Sequence, residues 1–292
     1  MNEANDFLII AEKMIQSYEA ILHPDGKIPF FNDSNFSNAV QISNLKLYYT
    51  DIRLHVPSIY EIPESGFYSV REANIFLICK CANIVAHYIP GHTHADVASF
   101  ELSLNGQRIF VNTGVSTYDV NNDRFYERGT SSHNCLCIED QNTSEIWSSF
   151  RVGRRAKVDR AIVSRSINEI MITCSHTGYL RSPFNTLHTR RFIKTENAIE
   201  ICDSLSGERS FKTQRYLHLH PDINIERVSN NEVYLNGKDC LKVKLATNDA
   251  NTNIEIFDSY YSRTFYSKVA SKSIKLVSKA SCPVELSFKI SW

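Results

Sequence analysis

Two imidazoles and a carboxylate stand two residues apart in Gly91-His92-Thr93-His94-Ala95-Asp96. In an extended segment such side chains point to one face. His92, His94 and Asp96 are therefore expected to share a surface able to hold a cation or pass a proton. More polar groups follow in Asn112-Thr113-Gly114, at Arg124 and Arg128, and in Ser132-His133-Asn134. Neutral imidazole suits Zn²⁺, and an amide or carboxylate oxygen can complete its shell. His133 opens a strand-like run, Cys135-Leu136-Cys137-Ile138. Pairing of that run with the one near Phe110-Val111 would bring His133 close to Asn112. Two readings stand at this point: a site of His94, His133 and an oxygen donor, or two half-exposed histidines bonded to backbone.

Arg124, Arg128, Arg151, Arg154 and Arg155 gather around the same stretch. Guanidinium forks match carboxylate and sulfate, which makes Arg124 and Arg128 candidates for contact with an acidic sugar. Most arginines on sheet surfaces are instead solvated or paired with Asp and Glu. Tyr118 and Trp147 each offer a face for stacking on a sugar ring, with core packing the expectation for the tryptophan. His176, His188, His218 and His220 lie on strands or strand ends, without an Asp or Glu placed to complete a site. They read as structural. Nothing resembles a nucleophile elbow, a phosphate-cradling loop or a nucleotide fingerprint.

The elements that must position these groups are mostly strands. Residues 7 to 22 are the exception, with Phe7, Leu8, Ala11, Met14, Ile15, Tyr18, Ile21 and Leu22 at helical steps. His23-Pro24-Asp25-Gly26 stops that helix. From about residue 54 short alternating segments take over, including residues 66–70, 75–79, 199–201, 233–235, 241–245 and 286–290. Asn105-Gly106 and Asn236-Gly237 are two-residue hairpin signals. The pattern predicts a mainly β chain, an antiparallel β-sandwich of stacked sheets preceded by one N-terminal helix. An irregular connection between about 25 and 55 divides residues 1–36, the helical stub, from residues 37–292, the sandwich.

Thirty-two basic and thirty-two acidic residues balance over 292 positions. This argues against a dedicated nucleic-acid or membrane-surface protein. No apolar run approaches the ~18 residues of a membrane span. Met1-Asn2-Glu3-Ala4-Asn5-Asp6 carries no basic, apolar or cleavage signature of a signal peptide, so as written the chain has no export address. The eight cysteines, with two C-x-C pairs, read as free and mostly buried thiols.

As an ordered set, residues 91–101, Phe110-Val111-Asn112-Thr113-Gly114 and residues 128–134 resemble the C-terminal region of the heparinase II/III family of polysaccharide lyases. Residues 150–156 and His188-Thr189-Arg190-Arg191 extend the resemblance, which covers residues from about 18 to the end. It implies an (α/α) toroid followed by an antiparallel β-sandwich, and cleavage of uronic-acid polysaccharides by β-elimination. It makes the helix at 7–22 similar to the last helix of that toroid. By motif position, His92 resembles the histidine that helps neutralise the uronate carboxylate. His94 and His133 resemble two ligands of the family's metal site. The third position, normally aspartate, is Asn112, which weakens the Zn²⁺ expectation because a neutral amide donates less charge. The family's catalytic tyrosine and base lie in the toroid and have no counterpart in this sequence.

The implied partners are an acidic polysaccharide and either a separate toroid chain or a second copy docking through the N-terminal helix. The resemblance implies the bacterial cell envelope or periplasm; without an export signal in the sequence, the cytoplasm stays open as an alternative. Two functional expectations follow. The first is the sandwich portion of a lyase, incomplete alone; the second is a non-catalytic carbohydrate-binding or scaffolding module with a degenerate metal site.

Overall fold

The alternating strand Ser99–Leu104 sends Phe100, Leu102 and Leu104 to one face and Ser99, Glu101 and Ser103 to the other, yet all six are buried. Two-sided burial means that something covers the polar face as well as the apolar one. In the computed structural model, which describes residues 3–37, 44, 56–84, 87–247, 249 and 251–292, the cover is the segment after the N-terminal helix. Phe31 packs with Phe76 and Ile78, while Phe30 packs with Val111 and Tyr261. The connection expected between 25 and 55 is therefore ordered against the sandwich as far as residue 37; apart from residue 44, its remainder to 55 lies outside the described residues.

Ile59–Ile62, Phe67–Glu72, Ile75–Lys80, Ser99–Leu104 and Gln107–Phe110 form a five-stranded antiparallel sheet in sequence order. An eight-stranded sheet runs Asn224–Arg227, Glu232–Asn236, Lys242–Ala246, Val284–Ser291, Ala198–Ser206, Leu187–Thr195, Ile170–His176 and Ile162–Arg165. A four-stranded sheet holds Thr252–Tyr261, Val269–Ser281, Ser210–His218 and Leu136–Ile138. One hydrophobic core joins all three, holding Phe100 and Leu102 together with Phe192, Ile201 and Phe288 and with Leu217, Ile254 and Ile274. The mainly β, antiparallel sandwich with one N-terminal helix is as the alternation predicts.

Helix α1 spans Glu3–Ile21. Its C-terminal half is docked: Ile15 and Ala20 are buried, as is Leu22 just beyond it, and Ser69 Oγ donates to the Ala20 carbonyl at 2.9 Å. Its N-terminal half is bare, with Phe7, Leu8, Ile9, Ile10 and Met14 all at least half exposed. A second helix, α2 (Asn122–Arg128), escapes the sequence pattern because seven residues are too short for periodicity. It is set by an N-cap, the Asn121 side chain accepting from Arg124 N at 2.9 Å.

Asn105-Gly106 makes the expected tight hairpin, both residues in the left-handed region at φ 48 and 77. Asn236-Gly237 does not. There the strands end at Asn236 and Lys242, Gly237 N closes a longer loop onto Leu241 O at 2.9 Å, and Asp239 and Cys240 take the positive φ. Gly114 is required by its surroundings, since φ is 79 and an added Cβ would lie 2.0 Å from the Ser262 carbonyl oxygen. All eight cysteines are unpaired, six of them buried.

Candidate functional site

The buried polar face of Ser99–Leu104 is where the site begins. Glu101 Oε1 accepts from Phe30 N at 2.7 Å and from both the backbone N and Nδ2 of Asn112 at 3.1 Å. Its Oε2 meets His23 Nε2 at 2.9 Å, and His23 Nδ1 meets Ser103 Oγ at 2.7 Å. Burial would raise the Glu101 carboxyl, but its bond to His23 and the Arg108 charge outweigh that and hold it low. Lys80, from the neighbouring strand, pairs with Asp96 in the same interior.

Asp33 is the hub that sequence reading missed. One carboxylate oxygen bonds His94 Nε2 at 2.7 Å and the other bonds His92 Nδ1 at 2.9 Å. Arg124 grips the same carboxylate with both terminal nitrogens, Nη2 lying 2.8 Å from Oδ2. Burial opposes the charge, yet His94 and Arg124 together hold the Asp33 carboxyl well below the usual range. His92 and His94 thus converge, though not through a shared strand face, since residues 91–98 are turns and irregular backbone. His92 keeps 68% of its side chain exposed while His94 keeps none. With Tyr118, Asp33 and Phe67, His92 lines a cavity of about 390 Å³.

His94 Nδ1 and His133 Nε2 face each other at 3.2 Å. The outer nitrogen of each ring is bound: His94 Nε2 by Asp33, and His133 Nδ1 by Asn112 Oδ1 at 3.0 Å. Asn112 must point its amide nitrogen at Glu101, so its oxygen accepts from His133. Both outer nitrogens therefore carry hydrogen, and two lone pairs oppose each other in the gap. Burial pushes both histidines below their ordinary pKa, His133 the further, so neutral rings are favoured. A proton or a metal ion between the rings relieves that opposition.

For zinc the fit is partial. Two imidazole nitrogens on one tetrahedral zinc lie roughly 3.3 Å apart, given bond lengths of ~2.0–2.1 Å. The observed 3.2 Å between His94 and His133 matches that edge. Asn112, however, holds the far nitrogen of His133 and so orients the ring from outside. Among the described residues no third His, Cys, Asp or Glu joins the pair. Any ion would be held by His94 and His133, and when bound it would supply a fixed positive charge behind Asp33. Zinc after dialysis is expected at well under one equivalent, and elemental analysis showing a full, tightly held equivalent would refute this. In Asn112→Asp a second carboxylate would sit about 3.1 Å from Glu101. The variant is then expected to melt lower in chelator and to gain zinc affinity, read as a larger zinc-induced Tm increase.

His133 does not reach Asn112 through the expected pairing. Leu136–Ile138 pairs with Ser210–His218 instead, and Val111 N bonds to His218 O at 3.0 Å. Asn134 ties the two segments, its Nδ2 donating to Phe100 O and Val111 O at 2.7 and 3.1 Å.

Arg124 and Arg128 are fully buried, which corrects their assignment to ligand contact. Beyond its pairing with Asp33, Arg124 donates Nε to Ser149 O at 3.1 Å. Arg128 donates to Thr93 O at 3.0 Å and to Ser148 O at 2.8 Å. Burial, then the Arg124 charge, lowers Arg128 to a pKa of about 10. Tyr118 stays at the rim, its ring 4.8 Å from the Arg124 guanidinium and 5.3 Å from the Phe150 ring. Trp147 is 51% exposed, against the expectation of core packing. His188 does have a carboxylate, Asp203 at 2.7 Å, in a buried cluster with His176 and Arg190. That cluster has no opening and is structural; the carboxylate comes from the adjacent strand, so spacing along the sequence could not show it.

A sandwich with one helix against a sheet is a fold shared with solved heparan-sulfate-cleaving enzymes. Heparan sulfate lyase HepC from Pedobacter heparinus matches at a TM-score of 0.78 and 17% identity, over 98% of this chain and 47% of that one. A heparinase III structure matches at 0.74 and 15%, over 98% of this chain and 48% of that one. The chain thus spans about half the length of these structures. Comparison by sequence with curated proteins yields no match. The family model described as heparinase II/III-like, C-terminal, matches residues 56–291. The chain belongs to that polysaccharide lyase family.

Proposed function

We propose that this chain forms the sandwich wall of a lyase cleft acting by β-elimination on a uronic-acid polysaccharide. The observation that carries the reading is His92: an exposed imidazole at a cavity mouth, bonded through Nδ1 to a buried, ionised Asp33. With Nδ1–H donated to Asp33, the remaining Nε2 faces outward. In the protonated ring, Nδ1–H is held by Asp33 and Nε2–H is free to donate to the uronate carboxylate. Removal of the C5 proton sends negative charge onto that carboxylate, and the imidazolium is placed to stabilise it. The C4–O bond breaks as the C4=C5 bond forms, and an acid protonates the departing oxygen. We assign that acid and the base to a toroid wall, supplied by another segment or another chain. The bare half of α1, with Phe7, Ile10 and Met14 exposed, is the face for that wall or for a second copy.

The test is formation of unsaturated uronate, followed by absorbance, on heparan sulfate, hyaluronan and other acidic polysaccharides. The chain alone is expected to show little turnover, and the chain completed with a toroid wall is expected to turn over. His92→Ala in the complete enzyme should lower kcat by about 10²–10³-fold, as loss of an oxyanion donor does, with Tm unchanged. Brisk turnover by the chain alone, or full activity without His92, would overturn the proposal. The placement of Asn112 on the far nitrogen of His133, away from the gap between the rings, favours, as a second reading, a carbohydrate-binding module that has lost metal and catalysis. Zero turnover by the completed enzyme with retained sugar binding would select it. Among the described residues no helix is long and apolar enough to cross a membrane, and we place the protein in the cell envelope by family habit.

A further inference from the structure

The two-stranded hairpin Ile146–Trp147 and Arg151–Val152 stands on the rim beside His92, the Phe150 and His92 rings 5.9 Å apart. Its tip is fixed from inside the protein. Arg124 donates to Ser149 O at 3.1 Å, and Arg128 donates to Ser148 O at 2.8 Å and to Arg151 O at 3.4 Å. Ser148 is held in the left-handed region at φ 54. Two buried guanidinium groups thus each give at least one donor to the carbonyls of one short surface hairpin. A hairpin needed only for packing would turn its large side chains inward. This one keeps Trp147 51% and Phe150 43% exposed. The exposed Arg151, paired in register with Trp147, has its guanidinium 5.3 Å from the indole centroid.

We propose that this hairpin is a pre-organised subsite for an acidic sugar, Trp147 offering its face to a pyranose and Arg151 its fork to the carboxylate or sulfate. The inference rests on the lyase-cleft reading and adds a specificity element to it. Rigid aromatic and guanidinium anchors bind with little further ordering cost, which is the use of fixing the hairpin through Arg124 and Arg128.

The test titrates the full chain with heparan sulfate oligosaccharides and, separately, with unsulfated hyaluronan oligosaccharides. The sequence has two tryptophans, Trp147 and Trp292, so intrinsic fluorescence reports on the hairpin directly. Bound sugar is expected to shift the emission, and Trp147→Phe should silence that shift. Trp147→Ala and Arg151→Gln should each weaken binding by about tenfold or more at unchanged Tm, and Arg151→Lys should recover only part. Loss with both sugars assigns the fork to carboxylate, and loss with heparan sulfate alone assigns it to sulfate; either supports the subsite. Sugar bound with equal affinity by wild type, Trp147→Ala and Arg151→Gln would overturn the subsite and leave the cleft reading standing. Absence of binding of either sugar to the wild-type chain would also overturn the subsite, while the cleft reading is decided separately by turnover of the completed enzyme.

Discussion

Asp33→Ala is expected to destabilise the chain by about 3–5 kcal/mol, the usual cost of leaving one partner of a buried ion pair alone. For a chain of this size that lowers Tm by on the order of 10 °C. Asp33 is 5% exposed and takes both terminal nitrogens of Arg124, whose side chain is wholly buried. Arg124 has no route to water: its Nε is held by Ser149 O, and the Tyr118 ring lies 4.8 Å from its carbon centre. His94 Nε2 loses its acceptor in the same variant. His92→Ala removes only an exposed partner of the same carboxylate and should cost within about 0.5 kcal/mol. The double variant Asp33→Ala with Arg124→Met should lose less than the sum of the two singles, because the stranded charge is gone. Urea unfolding of the four proteins measures this; a loss under about 1 kcal/mol in Asp33→Ala would show that Arg124 escapes to solvent.

The sandwich was legible because a half-buried strand writes itself as alternation, and a helix of nineteen residues writes itself as a stripe. Ser99–Leu104 shows the limit of that signal. Its alternation separates Phe100 from Glu101 correctly, but cannot say that residues 22–36 fold back over the polar face and bury Glu101 completely. Asp33 illustrates the same gap. It lies 59 and 61 residues from His92 and His94, in a segment whose sequence reads only as a connection. The hub's importance comes from three partners that reach it through tertiary packing. The motif histidines were found because each sits in a recognisable local string, and His94 and His133 do meet.

The arginines failed for a related reason. Guanidinium chemistry is the same whether the fork meets a substrate carboxylate or the protein's own, and only burial decides. Arg124 chose Asp33, and Arg128 chose three backbone carbonyls, so both act as fixtures of the loops carrying His92 and Trp147. Trp147 erred in the opposite direction. Tryptophan is usually well buried, and nothing in Glu145-Ile146-Trp147-Ser148 indicates that the hairpin's backbone is anchored by buried arginines while its side chains face out.

Stability should also fall steeply in mild acid, and histidine rather than carboxylate should set where the fall begins. Burial lowers His23 and His218 to a pKa of about 4, from about 6.5 when unfolded, with Arg108 adding to the effect at His23. The folded protein therefore binds fewer protons than the unfolded chain between those values. Stability from this source is complete above about pH 6.5 and is lost as pH falls toward about 4. Each histidine contributes a slope near ~1.4 kcal/mol per pH unit, so the pair removes roughly 7 kcal/mol across the window. That is comparable with the whole stability of a typical domain, about 5–15 kcal/mol. The ionised carboxylates have the opposite reference: Asp33 and Asp203 are held below their ordinary range by His94 and Arg124 and by Arg190 and His188 respectively, against burial. Their contribution is intact above about pH 4 and goes only below it, outside the histidine window. Urea unfolding at pH 8, 6.5 and 5 should thus give stabilities within about 1 kcal/mol of each other at the first two and a loss of several kcal/mol at the third. His218→Gln should reduce the slope below pH 6.5 by about one histidine's share, with Ser131 O and Ser273 Oγ, the ring's partners, left to rearrange. A flat profile from pH 8 to 5 would mean that these rings open to water before they are titrated, and that the polar interior is looser than its hydrogen bonds imply.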